Sequence, residues 1–251
     1  MKKTAYILAA ALLIGALSGC SGNKTPDSTK ENGKVTQVAV PEIQKNNTTN
    51  EALEYLRTQV PLFAKYVEKR NSIPLTYEVE ITTEEGTQTA SINIRNEKSV
   101  SFLATDVYGN HSGTIYTDNM CYVISEEEKT VYHSKVTEAT CKELVTVNQM
   151  NISVTDAHLF SYETDLDYYN DVLYKHEVIN ISPDEATHYY FDQQTDELVY
   201  IVTGNQVTKI TRFQNEVNES AFEIPSDYKS VDLNEYVNGT IDSEKQADEA
   251  E

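Results

Sequence analysis

The stretch that decides the fold is residues 75–82, LTYEVEIT, in which apolar and polar side chains alternate. Alternation with a period of two is typical of a strand that buries one face of a sheet. Turn residues follow at 84–86, and a second alternating stretch comes at 90–95. A third comes at 100–107. The three stretches predict an antiparallel meander.

The same pattern continues toward the C-terminus, with turn residues between the alternating stretches. Residues 140–150 fit a helix or a strand, and the sequence leaves both open. The further predicted strands are 114–117, 121–125, 129–136, 168–181, 188–192, 198–203 and 206–213.

Upstream of the strands, apolar residues recur at three- and four-residue steps, which is the helical period. Thr48 and Glu51 have the spacing of a capping box at the start of this helix. Pro61 interrupts the pattern, so it should kink the helix or begin a second one. The apolar stripe, which must pack against another element, consists of Leu53, Leu56, Val60, Phe63, Ala64 and Val67.

A helical segment followed by about nine or ten strands predicts a single α+β domain. We expect it to span residues 48–237 and to contain one large, strongly curved antiparallel sheet. The N-terminal helix should cover the concave face of that sheet, because its apolar stripe needs a partner.

The chain begins with the pattern of a secretory signal peptide, two lysines at positions 2 and 3 followed by an apolar run at 5–17. The run is shorter than the roughly 20 residues of a membrane-spanning helix. It ends in LSGC at 17–20, which resembles the lipobox of bacterial lipoproteins. The resemblance implies that residues 1–19 are removed and that Cys20 carries a diacylglyceryl group. The protein would then be anchored on the extracytoplasmic face of a cell membrane or outer membrane.

Polar segments flank the predicted domain. Residues 20–47 read as the lipidated cysteine with a flexible linker, and residues 238–251 as an acidic disordered tail. The net charge of −20 becomes −22 without residues 1–19, which contain two lysines and no acidic residue. So acidic a protein should bind neither nucleic acid nor anionic lipid by charge, which leaves the lipid to hold it on the membrane.

Two cysteines remain after Cys20, namely Cys121 and Cys141. An even pair in an exported protein predicts a disulfide. It would close a loop of roughly 20 residues and stabilise the fold by about 3 kcal/mol. Two buried free thiols are the alternative. Their spacing matches no tight set of metal ligands.

The sequence contains no local signature of catalysis or metal binding. The histidines are spread along the chain, as scattered surface residues would be. Asp165, Asp167 and Asp171 resemble part of a calcium loop, but Asn170 stands where glycine is needed and His176 where glutamate is needed. We therefore interpret the three carboxylates as solvated turn residues. The prediction is a protein with no metal or cofactor that is not an enzyme.

The layout resembles the LolA/LolB-like superfamily of outer-membrane lipoprotein carriers and receptors. The residues that carry the likeness are the helix at 53–67 running into 77–79, the segment 189–198, and the closing FEIPSDY at 222–228. The resemblance implies an incomplete β-barrel whose apolar hollow is covered by helices and can hold an acyl chain or another apolar ligand. Members that sense envelope stress share this shape without being transporters.

Two hypotheses for the function follow. In the first, the anchored domain binds a lipid or another apolar ligand in its hollow. In the second, the hollow is filled by its own side chains and the domain is an envelope protein-interaction or sensory module. The residues predicted to line the hollow are Leu56, Val60, Phe63, Val67, Tyr77, Val79, Ile81, Ile92, Ile94 and Phe102.

Overall fold

A computed structural model describes residues 50–182 and 185–233. The predicted signal peptide, Cys20 with its linker, and the acidic tail lie outside these residues. Within the described ranges, no helix is both long and apolar enough to cross a membrane.

Two helices open the described chain, α1 (Asn50–Gln59) and α2 (Pro61–Arg70). Pro61 is the first residue of α2, so it begins a second helix, which is one of the two predicted outcomes. Proline is tolerated at this position because the first N–H groups of a helix have no partner inside it.

One sheet contains twelve strands in the described residues. They are β1 (Leu75–Thr83), β2 (Gly86–Asn96), β3 (Ser99–Thr105), β4 (His111–Thr117), β5 (Met120–Ser125), β6 (Thr130–Lys135), β7 (Ser161–Tyr169), β8 (Val172–Ser182), β9 (Glu185–Phe191), β10 (Leu198–Thr203), β11 (Gln206–Gln214) and β12 (Lys229–Asp232).

The strand order is β12-β6-β5-β4-β3-β2-β1-β11-β10-β9-β8-β7. The sheet therefore joins two meanders, β1–β6 and β7–β11, along one seam between β1 and β11. At this seam Tyr77 lies opposite Phe213. The terminal strands β12 and β7 each have a single neighbour among the described strands, so the sheet is open.

The predicted α+β class with one large open sheet is confirmed. The prediction that the sheet is antiparallel throughout is wrong, because β12 runs parallel to β6. The chain after β11 does not turn back as a hairpin. It crosses the sheet through a 3₁₀ helix, Glu219–Phe222, and reaches the far edge, where it joins β6.

Residues 168–181 belong to a hairpin and residues 140–150 largely to a helix. The predicted single strand at 168–181 is wrong, because Asn170 and Asp171 have φ angles of 51° and 62° and form the turn between β7 and β8. Positive φ at both central residues is the geometry of a tight hairpin. Residues 140–150, left open above, fall largely in the helix α3 (Glu138–Val147), whose N-cap is Thr137. A short helix α4 (Val154–Leu159) follows.

The main hydrophobic core lies between the sheet and the helices, and we call this side of the sheet the helix face. The opposite side is the outer face. It carries a smaller apolar cluster, in which Ala221 and Phe222 of the crossing segment cover Ile115 of β4. Both sides of the sheet are thus covered near β3 and β4.

Candidate functional site

The ten residues predicted to line the hollow all come together in the main core. Each is at most 8% exposed. Phe63 of α2 illustrates the packing, since its ring centroid is 4.7 Å from that of Tyr189 and 6.1 Å from that of Tyr66. Their role as a ligand-binding surface remains a prediction.

Three polar groups are buried close together here, namely the hydroxyls of Tyr66 and Tyr77 and the guanidinium of Arg70. The hydroxyl oxygens of Tyr66 and Tyr77 are 3.3 Å apart, and burial raises the pKa of both. The guanidinium carbon of Arg70 is 4.9 Å from the centre of the Tyr77 ring. Arg70 is buried and its Nη1 has no hydrogen-bond partner. The π-face of Tyr77 therefore compensates part of the cost of burying this charge.

A groove of about 610 Å³ opens on the outer face. Strands β1 to β5 form its floor, and Pro225 and Tyr228 of the crossing segment form part of its wall. Its lining mixes apolar and charged side chains. Glu78 lies 3.7 Å from Nη1 of Arg212, while Glu80 Oε2 lies 3.2 Å from Nζ of Lys209. The groove is large enough for a small ligand. It is not the predicted apolar hollow, because it lies on the outer face instead of beneath the helices and has charged side chains in its lining.

A hydrogen-bonded chain of polar side chains crosses the outer face near the other end of the sheet. Asp165 of β7 lies opposite His176 of β8, with Asp165 Oδ1 2.7 Å from Nδ1 of the histidine. The Nε2 of His176 is 3.0 Å from Nδ1 of His188 on β9. When His176 is neutral and donates from Nδ1 to Asp165, its Nε2 is an acceptor, so His188 donates from Nδ1. Burial, followed by the charge of His176, lowers the pKa of His188.

Aromatic rings surround this polar chain. Tyr190 stacks on His176 with 4.6 Å between the ring centroids, and its hydroxyl donates to Asp167 Oδ2 at 3.4 Å. Tyr169 of β7 packs at 4.9 Å from Tyr190 and 5.0 Å from Tyr200. Burial, and then the carboxylate of Asp167, raises the pKa of Tyr190 to about 12. We call the outer face of β7 to β10 the tyrosine–histidine face.

The sequence interpretation missed this face. It placed the acidic residues in turns, whereas Asp165 and Asp167 lie on strand β7 and only Asp171 lies in the turn. It also treated the histidines as scattered, although His176 and His188 are in hydrogen-bond contact. The feature that the interpretation overlooked is the tight turn at Asn170 and Asp171, which fixes the register between β7 and β8. Within the described residues, no group of three or more His, Cys, Asp and Glu side chains is arranged to hold a metal ion.

The two cysteines on the helix face are free thiols in the structure, which differs from the predicted disulfide. Both are buried, Cys121 on β5 and Cys141 on α3. Burial raises the pKa of both thiols, and the charge of Cys141 would raise that of Cys121 further. The disulfide remains a prediction for the oxidised protein.

We expect oxidised native protein to release no alkylatable thiol from Cys121 or Cys141 on unfolding, and to release both after reduction. In reduced, folded protein the same thiols should react slowly, since burial keeps them protonated and covered. The measurement is mass spectrometry after alkylation with and without reductant. Two free thiols in unreduced, freshly isolated protein that is unfolded in the presence of the alkylator would contradict the disulfide.

The sequence matches no protein-family model. No curated protein matches it either. Among solved structures, an uncharacterized conserved protein from Thermus thermophilus is similar over 68% of this chain and 99% of that chain, with 9% identity and a TM-score of 0.38. The MucA/MucB complex of Pseudomonas aeruginosa shows 7% identity and a TM-score of 0.38, over 72% of this chain and 63% of that chain.

A LolA superfamily protein, NE2245 from Nitrosomonas europaea, is similar over 64% of this chain and 96% of that chain. The identity is 8% and the TM-score 0.28. Identities and TM-scores this low describe a distant likeness.

Proposed function

We propose that this chain is a lipid-anchored, extracytoplasmic protein-interaction module. The observation that carries the proposal is the filled space between sheet and helices. Every residue expected to line a ligand hollow is buried against its neighbours in one core. A bound acyl chain would need a cavity of several hundred Å³ at that place, and it would have to displace these side chains.

The exposed features fit contact with another protein better than capture of a lipid. The groove of the outer face has charged walls, and large apolar side chains are exposed near β7. A module of this kind works through its surface, so the packed interior serves as a rigid support.

The test of this proposal is native mass spectrometry of the protein without residues 1–20, purified from its own host. We expect the mass of the polypeptide with no apolar small molecule attached. An acyl or other apolar ligand that survives purification at stoichiometric amounts would overturn the interaction module and restore the lipid-binding hypothesis.

The lipid anchor is part of the same proposal, and the sequence LSGC at residues 17–20 supports it. Replacing Cys20 with alanine should leave the protein unprocessed or released from the membrane, because transfer of the diacylglyceryl group needs the thiol. Fractionation and electrophoretic mobility measure this outcome. A Cys20→Ala protein that is cleaved normally and still sediments with membranes would show that the lipoprotein interpretation is wrong.

A further inference from the structure

The exposed edge of β7 suggests what the module binds. This strand ends the sheet, with β8 on one side and no neighbour on the other within residues 50–182 and 185–233. Alternate backbone N–H and C=O groups of a terminal strand point away from the sheet, and an extended segment can add to them. Folded proteins usually protect such an edge, so an accessible one needs an explanation.

The helix face of β7 exposes apolar side chains. Tyr162 near the start of the strand is covered, since its ring lies 6.3 Å from that of Tyr55 on α1. Farther along, Leu166 is 59% exposed and Tyr168 is 68% exposed. The helices thus cover the beginning of the strand and leave its end open, so that an apolar strip lies beside the outward-pointing backbone groups of this edge.

The outer face of the same strand carries three carboxylates, on Glu163, Asp165 and Asp167. They are two residues apart, which spaces them by roughly 6.6 Å along a strand. In the described part of the chain, only Asp165 of these three lies within ion-pair distance of a basic side chain, that of His176. No lysine or arginine there neutralises Glu163 or Asp167, although acids elsewhere on the sheet, such as Glu80, are paired.

We infer that β7 docks an extended segment of a partner protein in which apolar residues alternate with lysine or arginine. The inference rests on the proposed function and names the chemistry of the partner. A strand added to β7 directs successive side chains to opposite faces. Apolar side chains would then meet Leu166 and Tyr168, while basic ones would meet the three carboxylates.

A second copy of this chain fits the edge less well. Pairing β7 with another β7 would bring the acidic outer faces of both strands together, and like charges across a strand pair are destabilising. The carboxylates therefore disfavour pairing of two β7 strands. They favour pairing of β7 with a basic partner segment.

The test uses synthetic peptides that are nine residues long, the length of β7. One probe alternates valine and lysine, and a second has the same composition with the lysines in one block. Binding to the full chain, purified from membranes in detergent, is measured by fluorescence anisotropy. We expect the alternating probe to bind at least about tenfold more tightly, because only it matches both faces of the strand.

Two N-methylated versions of the alternating probe separate strand addition from simple charge attraction. One carries the methyl groups on all valines and the other on all lysines. In a strand the N–H groups of one set face the neighbouring strand and those of the other set face away. Methylation of one set should abolish binding and methylation of the other set should leave it intact. Equal binding of both versions would overturn strand addition.

Protein variants locate the probe. Glu163→Gln together with Asp167→Asn should weaken binding of the alternating probe roughly fivefold, as expected for two charge pairs at the protein surface. The matched control is Glu85→Gln with Glu127→Gln, which removes the same charge from exposed turns. Leu166→Thr should also weaken binding, and thermal unfolding confirms that each variant is folded.

Equal weakening in the control pair, or binding that ignores the order of residues in the probe, would overturn the docking edge. Self-association that Leu166→Thr removes would assign the edge to a second copy instead. These outcomes leave the interaction module itself standing, because that proposal fails on a different result, an apolar ligand found by native mass spectrometry.

Discussion

Replacing Phe63 with alanine should lower the free energy of unfolding by about 3–5 kcal/mol, the range for removing a buried aromatic ring and leaving a cavity. Phe63 is 3% exposed and packs against Tyr66 and Tyr189. A ring that covered an open hollow would behave differently, since it faces space that already exists. Its truncation should then cost less than about 2 kcal/mol and change binding of a fluorescent fatty-acid probe.

Denaturant unfolding and probe titration on the same protein distinguish the two cases. Tyr108→Ala is the matched control, because Tyr108 is 86% exposed and its loss should change stability by less than about 0.5 kcal/mol. A small stability loss in Phe63→Ala, with strong probe binding by the unsubstituted protein, would favour the ligand carrier over the interaction module.

Replacing Glu177 with alanine should lower the free energy of unfolding by about 2–4 kcal/mol, because it leaves buried donors without their charged partner. Glu177 lies on β8 and is 3% exposed. Its two carboxylate oxygens accept from the backbone N–H groups of Leu62 and Phe63, at 3.0 and 2.7 Å. A side chain of the sheet thus caps the N-terminus of α2, whose N-cap residue Val60 provides no side-chain acceptor.

Glu177→Gln is the informative companion, since it keeps one acceptor oxygen and should cost about 1–2 kcal/mol. Hydrogen exchange at the amides of Leu62 and Phe63 should speed up more in the alanine variant than in the glutamine variant. Equal stability of all three proteins would show that the cap contributes nothing.

The pH dependence of this cap has a definite sign. Burial raises the pKa of Glu177 above its unfolded value, even though the N–H groups of Leu62 and Phe63 act in the opposite direction. Between the two pKa values the folded protein binds more protons than the unfolded chain. The contribution of Glu177 to stability therefore falls as the pH rises from the unfolded pKa of about 4.3 to the higher folded pKa. The stability difference from Glu177→Gln should narrow over the same window.

Local periodicity predicted much of the fold. The alternation at 75–82 became β1, and the apolar stripe that runs through Leu56 and Phe63 became the buried face of two helices. These elements can be predicted from sequence because each buries one face along its length, which gives its apolar residues a regular period. The path of the chain after β11 has no such signal, since its parallel pairing with β6 joins segments about a hundred residues apart.

The tyrosine–histidine face and the β7 edge were not predictable in the same way. The β7 sequence, SYETDLDYY, does alternate, with Tyr162, Leu166 and Tyr168 between carboxylates, but interpreting its acidic residues as turn residues misses the strand. Its partner, β8, positions His176 against Asp165 only after Asn170 and Asp171 adopt left-handed backbone angles. The site thus depends on register across a turn, and composition does not determine register.

The seam between β1 and β11 has a consequence for how the chain folds. Tyr77 and Phe213 are more than a hundred residues apart, so pairing them closes most of the chain into one loop. Each meander consists of neighbouring hairpins and can form early from local contacts, whereas the seam must wait until both exist. We therefore expect docking of the two halves to be the slow step of folding. Until it is complete, the edges of β1 and β11 are unpaired and open to aggregation, which makes this the interval in which a newly synthesised chain most needs a chaperone.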